Sequence, residues 1–359
     1  MITNIRFSYF FLLNVIICSA TYLTGCGNST GTDSRNNSTE GTFRFLALEN
    51  REIHELRHAG QLFAGTSQGL VRLELNSREV QSTDTFMEQA EVRTFVFIDE
   101  NTWLISAVFS NNSDSSNMYR TTNRGENWQI FNNGFGGDEK WIPTMMDNHK
   151  DRPQTIFGRT PGRTNVGRTD DAGQSWESVV GTWDNPNLGT NRFVKVDPHN
   201  PEVVWAGGAS ALFQPNLWYS TDNGKEWSGF LVIERVETTA FDIVSRSGNT
   251  KKLLAGLSGI IRKSTDGGES WETVFGGIRI RTMAQSVRDN NTVYASGLAP
   301  SSRPFFAVSF DFGNNWELVV FENGPDTIFV NDMLSVMENN TEVLYFATNK
   351  GLYSFTFDN

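Results

Sequence analysis

Three residues in the stretch "HELRH" are of the right type to handle a metal ion: His54, Glu55 and His58. Two imidazoles spaced as H-E-x-x-H can hold one Zn²⁺ while the glutamate polarises a zinc-bound water for peptide hydrolysis. This chemistry needs an α-helix, because only there do residues four positions apart share a face. The secondary structure around residue 54 therefore decides whether the pattern means catalysis.

Composition limits the classes of partner. The 359 residues are 38% hydrophobic and 12% aromatic, which is typical of a globular protein with one large β domain or two ordinary domains. The formal net charge is −11. An acidic protein lacks the cationic surface that releases counterions from nucleic acid, so we predict no nucleic-acid partner.

The N-terminus carries a short apolar leader, and "LTGC" at residues 23–26 follows it. This arrangement resembles a bacterial lipoprotein signal, which is cleaved before the cysteine. We predict a signal peptide over residues 1–25, a lipid on Cys26 and a disordered polar tether through residue 42. The lipid would be the protein's contact with a membrane, at an extracytoplasmic site in the bacterial cell envelope. A plain secretory peptide or a membrane helix is the alternative interpretation.

Only two cysteines are present, Cys18 in the leader and Cys26 at the predicted cleavage site. The domain that follows therefore has no disulfide, no thiol nucleophile and no cysteine-based metal site. Its glycine-rich stretches are turns without a following helix, which argues against a phosphate-binding cofactor site. We predict no cofactor and no bound metal.

Five segments share the form S/T-x-D/N-x-G-x-x-W, and their glycines are 48, 51, 44 and 45 residues apart. One such match would be weak, but five in register indicate an internal repeat. The acceptor, glycine and tryptophan positions are Asn123, Gly125 and Trp128; Asp171, Gly173 and Trp176; Asp222, Gly224 and Trp227; Asp266, Gly268 and Trp271; and Asp311, Gly313 and Trp316.

These segments resemble Asp-box (BNR) repeats, in which the motif shapes a β-hairpin turn. The carboxylate accepts backbone N–H groups, the glycine adopts a conformation that other residues resist, and the tryptophan fills the adjacent space. Asn123 keeps an acceptor oxygen but lacks the charge. The resemblance implies a structural role for all five boxes, away from the binding face.

Short apolar or alternating segments, such as "VVWAGG" and "KLLAGLSG", precede the boxes. Each unit of roughly 45 residues therefore reads as four antiparallel strands, which is one propeller blade. Two further units without a box bring the total to seven. We predict an all-β, seven-bladed propeller over residues 43–359, in which the strand "TFRFLALE" completes the last blade and protects its edge.

The same alignment places "IHEL" on the innermost strand of the first blade. On a strand, His54 and His58 would lie about 13 Å apart, so they cannot bind one ion. The metallopeptidase hypothesis is therefore rejected.

The second position of each innermost strand predicts a polar ring at one mouth of the central channel, where propellers usually bind ligands. Three arginines on alternate blades favour an anion or carboxylate as ligand. The alternatives are that they pair with Glu91 or Asp332, or that the register is shifted by one residue. The seven ring positions are His54, Arg93, Pro143, Arg192, Thr239, Arg281 and Asn331; Asp332, Arg159 and Arg163 are further candidates for the same face.

Several propeller families share these repeats. The chain resembles the Ycf48-like photosystem II assembly factors in size, blade number and leader, and it is similar to sortilin-type receptors and xyloglucanases. The first two groups imply a monomeric binding or assembly module that docks a protein segment or glycan on its channel face. A xyloglucanase-like or sialidase-like glycosidase is the alternative. Glycoside hydrolysis uses two carboxylates, however, and xyloglucanases place theirs between two propellers.

Overall fold

The computed structural model describes residues 39–76, 79–111, 113–139, 141–159, 165–181, 189–210, 216–230, 232, 240–246, 249–298, 305–322, 324–325 and 327–358. The predicted signal peptide, Cys26 and most of the predicted tether lie outside these ranges. The described residues belong to one compact unit, Asn37–Asn359.

Within the described ranges, 28 strands form seven antiparallel sheets of four strands each, so the predicted propeller is confirmed. Each innermost strand contacts the innermost strands of both neighbouring blades, which closes the ring. Two single turns of 3-10 helix, Ser113–Ser115 and Gly137–Glu139, are the helical elements of this part of the chain.

The strands, from the inside of each blade outward, are as follows: blade 1, β2 (Ile53–His58), β3 (Leu62–Thr66), β4 (Gly69–Asn76), β5 (Glu79–Phe86); blade 2, β6 (Glu91–Phe97), β7 (Trp103–Val108), β8 (Asn117–Thr121), β9 (Gln129–Ile130); blade 3, β10 (Met145–His149), β11 (Arg152–Arg159), β12 (Val166–Thr169), β13 (Glu177–Val180); blade 4, β14 (Gly189–Asp197), β15 (Asn200–Ser210), β16 (Leu217–Ser220), β17 (Ser228–Phe230); blade 5, β18 (Ala240–Arg246), β19 (Asn249–Leu257), β20 (Ile260–Ser264), β21 (Glu272–Gly276); blade 6, β22 (Arg279–Gln285), β23 (Val293–Leu298), β24 (Phe305–Ser309), β25 (Glu317–Val320); and blade 7, β26 (Val330–Glu338), β27 (Thr341–Thr348), β28 (Gly351–Phe357), β1 (Gly41–Ala47).

Blade 7 contains strands from both ends of the described chain. Its outermost strand, β1, pairs antiparallel with β28, from Gly41 opposite Phe357 to Ala47 opposite Leu352. Phe43 on β1 stacks on Phe321 with ring centroids 4.4 Å apart and also contacts Phe355 at 4.6 Å. These aromatic contacts add to the backbone hydrogen bonds that hold β1 on the blade.

The core is divided among the blade interfaces, because each sheet is buried on both faces. In β19, Leu253 packs toward blade 4 and its neighbour Leu254 packs toward blade 6, and neither is exposed to solvent. Successive side chains of a strand point to opposite faces, so a strand covered on both sides is apolar without alternation. This explains the continuous apolar runs, such as "KLLAGL", that mark the second strand of each blade.

The five Asp-box turns share one hydrogen-bond pattern. In the second box, the Gly173 N–H donates to Thr169 Oγ1 at 3.0 Å and the Ser175 N–H donates to Asp171 Oδ1 at 2.9 Å. Asn123 accepts the equivalent bond at 3.0 Å in the first box. The carboxylates are thus engaged within their own turns.

The glycine of each box lies at positive φ, and neighbouring side chains leave little room for a Cβ atom. In the third box, φ of Gly224 is 78° and a Cβ placed there would lie 2.4 Å from a ring carbon of Phe157. Glycine is therefore required both by the backbone conformation and by the packing of the preceding blade.

The boxes and the starts of the innermost strands lie on opposite faces of the propeller. In blade 2, β6 runs from Glu91 to Phe97, and Phe97 pairs with Trp103, which in turn pairs with Thr121 at the start of the box. The first box therefore lies where β6 ends. We call this side the Asp-box face and the side where the innermost strands begin the ring face.

Candidate functional site

The ring face is built on a repeated β-bulge. One residue near the start of six innermost strands has no pairing partner on the second strand, and a bulge of this kind re-aims the extra side chain. Five of the ring positions proposed from sequence occupy it. These five residues are His54, Arg93, Arg192, Arg281 and Asn331.

Blades 3 and 5 differ from the alignment made from sequence. In blade 5 the bulged residue is Phe241, between Ala240 and Asp242, two positions after the predicted Thr239; Thr239 lies outside the described residues. In blade 3 the innermost strand begins only at Met145, which pairs with Arg159, and Pro143 precedes the strand.

Three titratable side chains, His54, Glu91 and Arg93, form one cluster where blades 1 and 2 meet. His54 Nε2 lies 3.2 Å from Glu91 Oε1. Arg93 donates from Nε to the same oxygen at 2.8 Å and from Nη2 to Glu91 Oε2 at 3.1 Å. Burial lowers the pKa of His54, against the opposing influence of Glu91 and Glu52. His54 is therefore neutral at pH 7, and Glu91 is the counter-ion of Arg93.

On blades 3 and 4 the ring face carries an excess of positive charge around Arg159, unlike the paired charges where blades 1 and 2 meet. Arg159 ends β11 and donates from Nη1 to the Asn191 carbonyl at 2.6 Å, and its buried Nε has no hydrogen-bond partner. Burial, together with repulsion from Arg192 and Arg93, lowers the pKa of Arg159 to about 10. A desolvated guanidinium beside two other cations is costly unless an anion joins it. Arg163 lies outside the described residues.

Arg281 is held on the opposite side of the ring. Its Nη1 donates to Asn331 Oδ1 at 2.7 Å, and its guanidinium lies 4.7 Å from the centre of the Phe329 ring. Asn331 in turn donates to the Ile53 carbonyl at 2.9 Å and to Glu52 Oε1 at 3.2 Å. These contacts link blades 6, 7 and 1 into a fixed polar edge.

A cleft of about 370 Å³ opens beside Arg93 between blades 2 and 3. It exists because β10 starts late, so that residues 141–144 line the mouth of the channel as irregular backbone. Ser106 Oγ donates to the Pro143 carbonyl at 2.6 Å across the floor of the cleft. The lining residues are Arg93, Ser106, Val108, Trp141, Ile142, Pro143 and Thr144.

Asp332 lies deeper than the ring residues, in the wall of the channel. Its Oδ2 accepts the Leu56 N–H at 2.8 Å and its Oδ1 accepts the Met333 N–H at 2.8 Å. Burial raises its pKa, and these two N–H groups oppose the shift. Asp332 therefore joins blade 7 to blade 1, and both of its oxygens are engaged.

Two cations cross the channel below the ring face. Arg57 of blade 1 reaches blade 3, where it contacts Asp147 Oδ1 at 3.0 Å and the Met146 carbonyl at 2.7 Å. Lys195 of blade 4 contacts Asp242 Oδ1 at 2.9 Å and donates to the Met283 carbonyl of blade 6 at 3.2 Å. Arg57 thus links blade 1 to blade 3, and Lys195 links blade 4 to blades 5 and 6.

Glu55 completes this buried ionic cluster by accepting from Arg57 Nε at 2.7 Å. Burial is the main cause that raises the pKa of Glu55 to about 7, with smaller contributions from Asp332 and Asp147, while Arg57 opposes the shift. Sequence reasoning missed the cluster. The signal was present as charged residues in otherwise apolar innermost strands, but ring closure alone shows which of them meet.

The H-E-x-x-H residues lie on strand β2, as the alignment predicted. Among the residues that the structure describes, no group of three or more His, Cys, Asp or Glu side chains is placed to hold a metal ion. Within the same ranges, no helix is long and apolar enough to span a membrane.

No family model matches the chain. A stretch of 124 residues is 28% identical to the photosystem II assembly lipoprotein Ycf48 of Synechococcus sp. (strain CC9902), and the match covers 34% of this chain and 33% of that protein. The structure of Ycf48 bound to a D1 peptide is 14% identical with a TM-score of 0.61, over 90% of this chain and 96% of the other. This chain has the Ycf48 fold.

The GH74 xyloglucanase from Xanthomonas campestris is also similar, with 14% identity and a TM-score of 0.64. The alignment covers 88% of this chain but only 53% of the enzyme, so the chain spans about half of that glycosidase. The resemblance to Ycf48-like and xyloglucanase-type propellers is thus confirmed at the level of the fold. At these identities the likeness extends no further than the fold.

Proposed function

We propose that the ring face binds an acidic segment of a partner protein, and that the propeller acts as a lipid-anchored scaffold for it. The observation that carries this proposal is the charge imbalance around Arg159. This guanidinium is largely buried, keeps one N–H without a partner and faces Arg93 and Arg192. A carboxylate bound there would neutralise a cation that the fold has already desolvated.

The adjacent cleft supports a peptide rather than a small free anion. Val108, Trp141, Ile142 and Pro143 give it apolar walls, and Arg93 stands at its edge. An apolar side chain could fill the cleft while a neighbouring carboxylate reaches the arginines. Sites of this size, with apolar walls and a few polar groups, favour one orientation of the ligand.

A glycan hydrolase remains the second candidate, because the GH74 xyloglucanase shares the fold. Its chemistry would require two free carboxylates flanking a sugar. The glutamates beside the ring-face arginines are Glu52 and Glu91, and both are held by neighbours: Glu52 by Asn331, and Glu91 by Arg93 and His54. The binding function therefore fits these side chains better.

The proposal includes an extracytoplasmic site in the bacterial cell envelope. Its support is the lipobox-like "LTGC" at residues 23–26 and the similarity of 124 residues to a lipoprotein. Labelling of cells with a radioactive fatty acid tests it. Wild-type protein should incorporate label and the Cys26→Ser variant should not; label in the variant would exclude Cys26 as the lipidation site.

Two variants on one strand test peptide binding. Arg159 ends β11 on the ring face, whereas Arg152 begins β11 on the Asp-box face and pairs there with Glu202. We expect fluorescent acidic peptides to bind the full chain, and Arg159→Gln to weaken binding about tenfold or more. Arg152→Gln is the matched control and should bind normally. Equal binding by all three proteins, or release of sugars from xyloglucan, would overturn the proposal.

A further inference from the structure

Glu91 is shared between two side chains that belong to different blades. Arg93, on β6, contacts both of its oxygens, and His54, from β2, approaches Oε1 at 3.2 Å. The Arg93 side chain is 42% exposed, so it can also reach a ligand on the ring face. The partner that Glu91 prefers therefore sets how much of the charge of Arg93 is available to an anion.

The charged groups around His54 are few and come from two elements. Glu91 and Arg93 face it from β6, and Glu52 faces it from the segment before β2. Glu52 accepts a hydrogen bond from Asn331 of β26, which limits its movement. Glu91 is therefore the carboxylate best placed to respond when His54 gains a proton.

From this geometry we infer that His54 is a proton switch for the anion site, which frees Arg93 when it becomes protonated. The inference rests on the proposed function, since it concerns control of the same site. When His54 is neutral, Glu91 is neutralised by Arg93, and the arginine attracts an incoming anion only weakly. When His54 is positive, two cations share Glu91, so Arg93 can turn toward a ligand.

The direction of the pH dependence follows from linkage. Burial holds the pKa of free His54 below 6.5, so the side chain is neutral above that value. A bound anion adds negative charge close by and raises this pKa, so binding is accompanied by proton uptake. The gain in affinity is complete below the pKa that His54 has in the free protein. It is lost as pH rises through the higher pKa that His54 has in the complex.

Sulfate is a suitable probe because it does not itself titrate between pH 5 and pH 8. We expect calorimetry on the full chain to show binding about tenfold tighter at pH 5 than at pH 8, which corresponds to a pKa shift of about one unit. His54→Gln should bind at both pH values with the pH 8 affinity. His199→Gln is the matched control, since His199 contacts Gln285 on the Asp-box face, and it should keep the full pH effect. An unchanged pH effect in His54→Gln would overturn the switch.

A second measurement separates the switch from the binding function. The Nε–H signal of Arg93, followed by NMR without ligand, should exchange with water faster at pH 5 than at pH 8, and His54→Gln should abolish the difference. If neither sulfate nor the acidic peptides bind at either pH, the proposed function fails, but a pH-dependent Arg93 signal still supports the switch. If the Arg93 signal does not respond to pH in the wild type, the switch is wrong even when sulfate binds.

Discussion

The Asp-box face and the ring face are both made of equivalent positions repeated around the propeller, but they use repetition differently. On the Asp-box face, the acceptor, glycine and tryptophan recur almost unchanged in five blades, and each glycine N–H donates to the hydroxyl that begins its own turn. On the ring face the backbone bulge recurs while its side chain changes between arginine, histidine, asparagine and phenylalanine. Repeated side chains thus stabilise the blades, whereas varied side chains on a repeated backbone give each part of the ring face a different charge.

The largest expected effect comes from the Asp-box face. Gly224→Ala places a Cβ at positive φ and 2.4 Å from Phe157, so we expect a loss of about 4 kcal/mol in the free energy of unfolding. Urea denaturation measures it. Gly60→Ala is the control, because Gly60 also has positive φ but nothing lies within 4 Å of its added Cβ; it should lose about 1 kcal/mol. Equal losses would show that contact of the added Cβ with Phe157 of blade 3 does not contribute to the loss of stability.

The second test compares two buried arginines. Arg57 has Glu55 and Asp147 as partners, so Arg57→Gln leaves two buried carboxylates and should destabilise the protein by about 3 kcal/mol. Arg159 has cations as its charged neighbours, so Arg159→Gln should leave stability unchanged or raise it by about 1 kcal/mol. The same denaturation curves give both values. A large loss in Arg159→Gln would mean that this residue serves the fold and not a ligand.

The channel itself should make stability depend on pH. The pKa of Glu55 is about 7 in the folded protein, above its usual value of 4.5. The folded state therefore binds this proton more tightly, and its contribution to stability is lost as pH rises through about 7. We expect a loss of at most about 3 kcal/mol between pH 5 and pH 8. In Glu55→Gln this loss of stability between pH 5 and pH 8 should vanish. If the variant and the wild type have identical pH profiles, the pH dependence comes from other groups.

The smallest effect should come from Asp266→Asn. Hydrogen bonds from Ser270 and Ser264 lower the pKa of Asp266 to about 2, but this carboxylate is fully exposed. Asparagine keeps the acceptor oxygen, as Asn123 does in the first box. A thermal melt should show only a slight decrease in Tm at pH 7, whereas Asp266→Ala should decrease it more. An equal decrease in both variants would show that the acceptor oxygen is not what stabilises the turn.

The sequence allowed the blades to be predicted because their signals are local and repeated. Strand runs, box turns and their spacing depend on neighbours within one unit, so five copies reinforce one another. In blades 1, 2, 4, 6 and 7 the ring positions chosen from sequence coincide with the bulged residues for the same reason. In blade 5 the bulge lies two positions later, and in blade 3 the innermost strand begins at Met145 without a bulge near its start; the sequence pattern marks neither difference.

The contacts that connect blades could not be predicted. Arg57 meets Asp147, and Lys195 meets Met283, across 90 and 88 positions of sequence. Such pairs form only when the ring closes, and no periodicity identifies which charges will face one another. Arg159 illustrates the same limit, since its environment depends on Arg93 and Arg192 from two other blades.

The direction of β1 has a mechanical consequence. This strand begins at Gly41 opposite Phe357, on the Asp-box face, and runs toward the ring face. A pulling force on the preceding segment would therefore enter the fold through the outer strand of blade 7. It would peel β1 from β28 one hydrogen-bonded pair at a time, starting at Gly41, and the stacked ring of Phe43 would be the first side chain to resist. An anchor attached at that end leaves the opposite mouth of the propeller open to a partner.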